Sequence, residues 1–112
     1  MTTDLRPAET WLPLDVDELD YVKVTYEDLL DDGETITTMH SVTCEAIGGV
    51  DASASSRLSG SATVESPEVL HLMAGVLDGV TYLVRFVANT SAGRRITIAG
   101  TVLGTRVGAA AP

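Results

Sequence analysis

Positive charge, aromatic rings and cysteine are all scarce in this chain, and each scarcity removes a class of function. Seven Lys and Arg stand against sixteen Asp and Glu, for a formal net charge of −9 at pH 7. Nucleic-acid phosphates and anionic lipid surfaces would be repelled, so neither nucleic acid nor membrane is expected as a partner. Aromatic residues make up 4% of the 112 residues, too few for a base-stacking surface or a sugar platform. The core must therefore rest mainly on Val, Leu, Ile and Ala. The single cysteine, Cys44, excludes an intrachain disulfide and a thiolate metal cluster, and it fits a reducing compartment. No apolar run approaches the roughly 20 residues that cross a bilayer. Met1-Thr2-Thr3-Asp4 lacks the basic-then-apolar layout of a secretory signal, which predicts synthesis and folding in the cytoplasm.

Motifs for chemistry are also missing. There is no Gly-x-Ser-x-Gly elbow to activate a serine and no phosphate-cradling loop, since Gly48-Gly49 and Gly75 fit neither pattern. His40 and His71 lie in apolar alternation, which reads as packed histidines, and Cys44 has no neighbouring cation to favour its thiolate. His40 and Cys44 are four apart, about 13 Å along a strand and too far to share one ion. Nine of the sixteen acidic residues fall between Asp15 and Glu34. An EF-hand count from Asp15 puts Leu19 at a ligand position and Asp20 where glycine is required, so a solvated acidic face is the reading and no metal or other cofactor is expected. The chain is accordingly expected to be non-catalytic.

What is present is strand periodicity. Val22, Val24 and Tyr26 alternate, and Glu27 to Leu30 has room for one helical turn before Asp31-Asp32-Gly33-Glu34 bends the chain. Ile36 to Ala46 alternates again, with His40 and Cys44 on the inward side. Residues 51–66 are rich in Ser and Ala and read as short, weakly specified strands turning at Ser59-Gly60. Val69 to Ala74 is a compact buried strand. Thr81 to Thr90 is the strongest, with Tyr82, Val84, Phe86 and Ala88 on one face and Leu83 and Val87 on the other, as in a central strand. Ser91-Ala92-Gly93 turns the chain into Arg94 to Leu103. About seven short strands, separated by turn signals roughly every eight to twelve residues, predict a single immunoglobulin-like antiparallel β-sandwich. No internal repeat is present.

The sandwich is expected over residues 15–103. An extended N-terminal arm, 1–14, is stiffened by Pro7 and Pro13, and a small-residue tail spans 104–112. Trp11 in that arm either anchors a neighbouring subunit or plugs its own domain. The acidic stretch against Arg85, Arg94, Arg95 and Arg106 suggests either charge-matched packing of identical copies or local ion pairs. The candidate protein-interface residues are Trp11, Leu12, Leu14, Asp17, Asp20, Arg94, Arg95 and Arg106.

Two stretches carry a resemblance. Asp17-Glu18-Leu19-Asp20-Tyr21 leads on to Asp31-Asp32-Gly33-Glu34-Thr35-Ile36, and Gly79-Val80-Thr81-Tyr82-Leu83-Val84 leads on to Thr90-Ser91-Ala92-Gly93-Arg94. The layout resembles the tailed-bacteriophage fiber–tail adaptor family, from which it departs at Val80 and in a Ser/Ala-rich middle without tryptophan. The resemblance implies a structural virion protein, made in the host cytoplasm, in the tail or neck region. It implies several copies in a symmetric ring, with tail, neck and fibre proteins as partners. A capsid decoration or head–tail neck component is the alternative in the same class. A cytosolic ligand-binding β-sandwich is the alternative outside it.

Overall fold

The computed structural model describes residues 8–107; the first seven residues of the expected arm 1–14 and the last five of the expected tail 104–112 lie outside the described residues. Among the described residues eight strands follow one another: β1 (Glu9–Thr10), β2 (Leu14–Asp15), β3 (Leu19–Thr25), β4 (Ile36–Gly48), β5 (Leu58–Glu65), β6 (Glu68–Ala74), β7 (Thr81–Thr90) and β8 (Arg95–Thr105). Single 3-10 turns interrupt them at Glu27–Leu29 and Ala54–Arg57. One sheet runs β1-β8-β7-β4, with β2 also on β8, and the other runs β3-β6-β5. All pairings are antiparallel except those of β1 and β2, which lie parallel to β8.

The alternation in the sequence accounts for the two layers. Val22 and Val24 from β3, with Val69, His71 and Met73 from β6, are buried under Tyr82, Val84, Phe86 and Ala88 from β7 and Ile96, Ile98 and Val102 from β8. Each fully buried Val, Ile or Phe contributes about 1.5–3 kcal/mol relative to exposure. Tyr26, just past β3, also buries its ring, and its hydroxyl donates across the layers to the Phe86 carbonyl at 2.9 Å. One polar reach thereby fixes how the sheets face each other. β7 is central, between β4 and β8, which explains its partly covered outer face.

Three expectations are corrected. His40 is exposed, because the pairing of β4 with β7 shifts on both sides of it, between Ile36 and Thr38 and between Met39 and Ser41, and the segment between has the reversed side-chain phase; Cys44, beyond both shifts, is buried like Ile36 before them. Ser59-Gly60 is no turn. It lies inside β5, where Gly60 takes φ +73° and the register with β6 slips before Thr63. Finally, β8 continues through Gly104 and Thr105, past the expected start of the tail, because β2 pairs Leu14 with Gly104 and Asp15 with Thr105. The Ser/Ala-rich stretch forms one bend with the Ala54–Arg57 turn and then a single strand.

Candidate functional site

Around Trp11 the chain closes on itself. Glu9 and Thr10 pair with Gly100 and Thr101, and the Trp11 amide donates to the Thr101 carbonyl at 2.9 Å. The indole lies over Gly100 so closely that a Cβ there would meet Trp11 Cζ2 at 2.2 Å. Its edge-to-face partner is Phe86, with ring centroids 6.3 Å apart. Only glycine leaves that seat open, so Gly100 and Trp11 are one device. Of the two readings of Trp11, the plug on its own domain is the one observed. Leu14 follows it into the core, whereas Leu12, between them, is 88% exposed.

The segment then turns tightly into β3. Asp15 accepts from the Asp17 amide at 2.8 Å and the Val107 amide at 2.6 Å, and Glu18 accepts from the Asp15 amide at 2.7 Å. The Asp17 and Val107 amides hold the Asp15 carboxyl below its ordinary value, with Arg106 adding a favourable charge. The arm and β3 thus flank a groove of 440 Å³ lined by Trp11, Leu12, Leu14, Tyr21, Val22 and Val102, with Glu18, Asp20 and Lys23 at its mouth. Beside it Leu19 and Tyr21 are exposed. The Trp11 indole N–H is buried in this wall without a hydrogen-bond partner.

Two polar networks brace the sandwich. In the first, Thr90 Oγ1 donates to Glu34 Oε2 at 2.5 Å, Arg94 Nε donates to the same oxygen at 3.0 Å, and Arg94 Nη2 bonds Glu34 Oε1 and the Leu29 carbonyl. Arg94, Thr90 and the Asp31 amide hold the Glu34 carboxyl down to about 2. In the second, Tyr82 donates to Asp51 at 2.6 Å and accepts from the Leu77 amide at 2.9 Å, while Arg57 grips Asp51 at 2.8 and 3.1 Å. Arg57 and then Tyr82 push the Asp51 carboxyl well below the carboxylate range. Burial pushes the Cys44 thiol up to about 11, as expected for a small core side chain.

The expected interface residues separate accordingly. Leu12, Asp17 and Asp20 are exposed around the groove; Trp11 forms its wall and Leu14 its floor. Arg94 is committed to Glu34, Arg95 bonds Asn89 Oδ1 at 3.1 Å, and Arg106 is exposed near Asp15. The acidic run divides. Asp15, Asp17 and Glu18 precede β3, Asp20 lies within it and Glu27 to Glu34 follow it, and among the described residues no three His, Cys, Asp or Glu are placed to hold one ion. Sequence reasoning missed Tyr21, Val102 and the Asp51–Arg57–Tyr82 network, whose members meet only through pairing. The exposed alternation of Leu19 and Tyr21 on β3 was the one available signal. No family model, curated protein or solved structure matches the chain.

Proposed function

We propose that this chain is a non-catalytic adaptor in the virion of a tailed bacteriophage, an immunoglobulin-like sandwich joining tail or neck to fibres. The observation that carries the reading is how the resemblance motifs meet. Asp31 to Ile36 and Thr90 to Arg94 are far apart in sequence, yet Glu34 is bonded to Thr90 and Arg94, and Thr35 and Ser91 exchange bonds through the Thr35 amide to Ser91 Oγ at 3.0 Å and the Ser91 amide to the Thr35 carbonyl at 2.9 Å. Residues that form one lock are expected to occur together, so the motifs count as a unit rather than as separate turn signals. The immunoglobulin-like type is supported by the β3-β6-β5 sheet facing β8-β7-β4 and by Tyr82 at the start of β7, whose hydroxyl reaches back to the Leu77 backbone.

The docking face in this reading is the exposed Leu12, Leu19 and Tyr21 beside the groove. Single exposed apolar side chains are ordinary; Leu12 and Tyr21 are set apart by lining the groove, with Leu19 two residues before Tyr21 on the same strand. Leu12→Ser combined with Tyr21→Ser should leave the denaturation midpoint nearly unchanged, since exposed substitutions shift stability by about 0.5 kcal/mol or less. The same variant should fail to enter assembled particles. Normal incorporation would remove this face from the account.

A further inference from the structure

The two sheets leave three long outer strands, and they differ in regularity. Among the described residues β4 pairs only with β7, and its register shifts at three places; β5 pairs only with β6 and slips after Ser59. Shifted, bulged edges resist the addition of another strand. β3 is different. Among the described residues it pairs on one side only, and all seven of its residues, from Leu19 opposite Ala74 to Thr25 opposite Glu68, run in unbroken register with β6.

The open side of β3 faces a usable space. The Tyr26 amide donates to Pro67 on the β6 side, so the pleat turns the amides of Tyr21, Lys23 and Thr25 the other way. The Tyr21 amide is met by the Asp20 carboxylate at 2.7 Å, which leaves the Lys23 and Thr25 amides to be paired by an incoming strand. Next to them lies the 440 Å³ groove, whose Trp11 wall holds an unpaired indole N–H. Its mouth is acidic. Glu18 and Asp20 line it, Asp17 is exposed beside it, and Lys23 is already paired with Glu68 at 3.3 Å.

We propose that the open edge of β3 and the Trp11 groove capture an extended segment of another protein, apolar on one face and carrying Lys or Arg, as an added strand beside β3. The backbone of the edge supplies affinity, and the groove with its acidic mouth selects the side chains. A second copy of this chain, with its net charge of −9, fits that mouth poorly. The proposal rests on the adaptor reading only for the partner's role and adds the partner's chemistry.

The test uses the full chain and two synthetic peptides of about eight residues, a usual strand length. One alternates Val with Lys and Arg; the other alternates Val with Glu. The basic peptide should slow amide hydrogen exchange at Lys23 and Thr25 by about tenfold at saturation, equivalent to roughly 1.4 kcal/mol, and shift the Trp11 emission. The acidic peptide should do neither. Asp20→Lys should abolish the preference for the basic peptide, and Lys23→Pro, which removes an edge N–H, should abolish capture. Should Lys23→Pro fail to fold, Asp20→Lys still decides the matter. Equal response to both peptides, protection on β4 instead, or self-association through β3 seen by sedimentation would overturn the proposal. Because no particle is involved, failed capture leaves the virion reading standing, and capture by a chain absent from particles would leave the groove and remove the virion.

Discussion

Glu34 holds together segments that the chain keeps far apart: Thr90 lies 56 residues away and Arg94 lies 60. Its carboxyl is ionised in the folded state down to about 2, against an ordinary value of 4.5. A carboxylate whose pKa falls on folding stabilises the fold at every pH above its unfolded value, and that contribution drains away as pH drops through the folded one. The midpoint of urea denaturation should therefore hold steady from neutral pH to about 4.5 and decline toward 2, with Asp51 acting in the same direction. Glu34→Gln should be less stable at pH 7 and show a shallower decline. An unchanged pH profile in that variant would mean that the lock carries no weight in solution. Gly100 offers an independent reading. Because a Cβ there overlaps the Trp11 ring, Gly100→Ala should unseat the indole, cost about 1–3 kcal/mol as overpacked sites do, and shift Trp11 emission to longer wavelength. A blue-shifted or unchanged spectrum would contradict the seat.

At the scale of elements, what was legible in the sequence was whatever a period of two records. β3, β6, β7 and β8 announce themselves because Val22 and Val24, Val69 and Met73, Tyr82 to Ala88, and Ile96 and Ile98 each alternate without interruption. β4 is legible in place, but the phase at His40 is not, because register shifts on both sides of it reverse only the side chains between them and Cys44, beyond both, is back on the inward face; a bulge leaves no mark in composition. β5 was obscured by Ser59-Gly60, a dipeptide that serves a turn or a bulge equally well. The arm was harder still. Pro7 and Pro13 speak for extension, yet pairing with β8 is set by Trp11 finding the space above Gly100, 89 residues further along and invisible to any local pattern. Half of the candidate site was therefore readable: Trp11, Leu12 and Leu14 from composition, Asp17 and Asp20 from charge. Tyr21 and Val102 became lining residues only when β3 and β8 faced each other across the arm. The same pairing explains why deleting residues 1–14 is a blunt experiment. It would strip Trp11 and Leu14 from the fold as well as Leu12 from the surface, so a loss of about 3 kcal/mol or more is expected in urea denaturation.

For the whole molecule, the two polar networks and the groove divide the labour. The Glu34–Arg94 lock joins the bend after β3 to the turn between β7 and β8, and the Asp51–Arg57–Tyr82 network ties the bend after β4 to the start of β7. Both are committed to the fold. The arm side of β3 is the surface left for a partner, with an even edge, an apolar groove and an acidic mouth. In the proposed reading, a domain braced in this way suits a passive link between larger bodies. The central claim is that this link is part of a phage particle, and immunogold labelling of purified particles with antibody against this chain tests it most directly. The account predicts gold confined to the neck or the tail–fibre junction. Particles that carry the fibre and expose the antigen but take no label would contradict it.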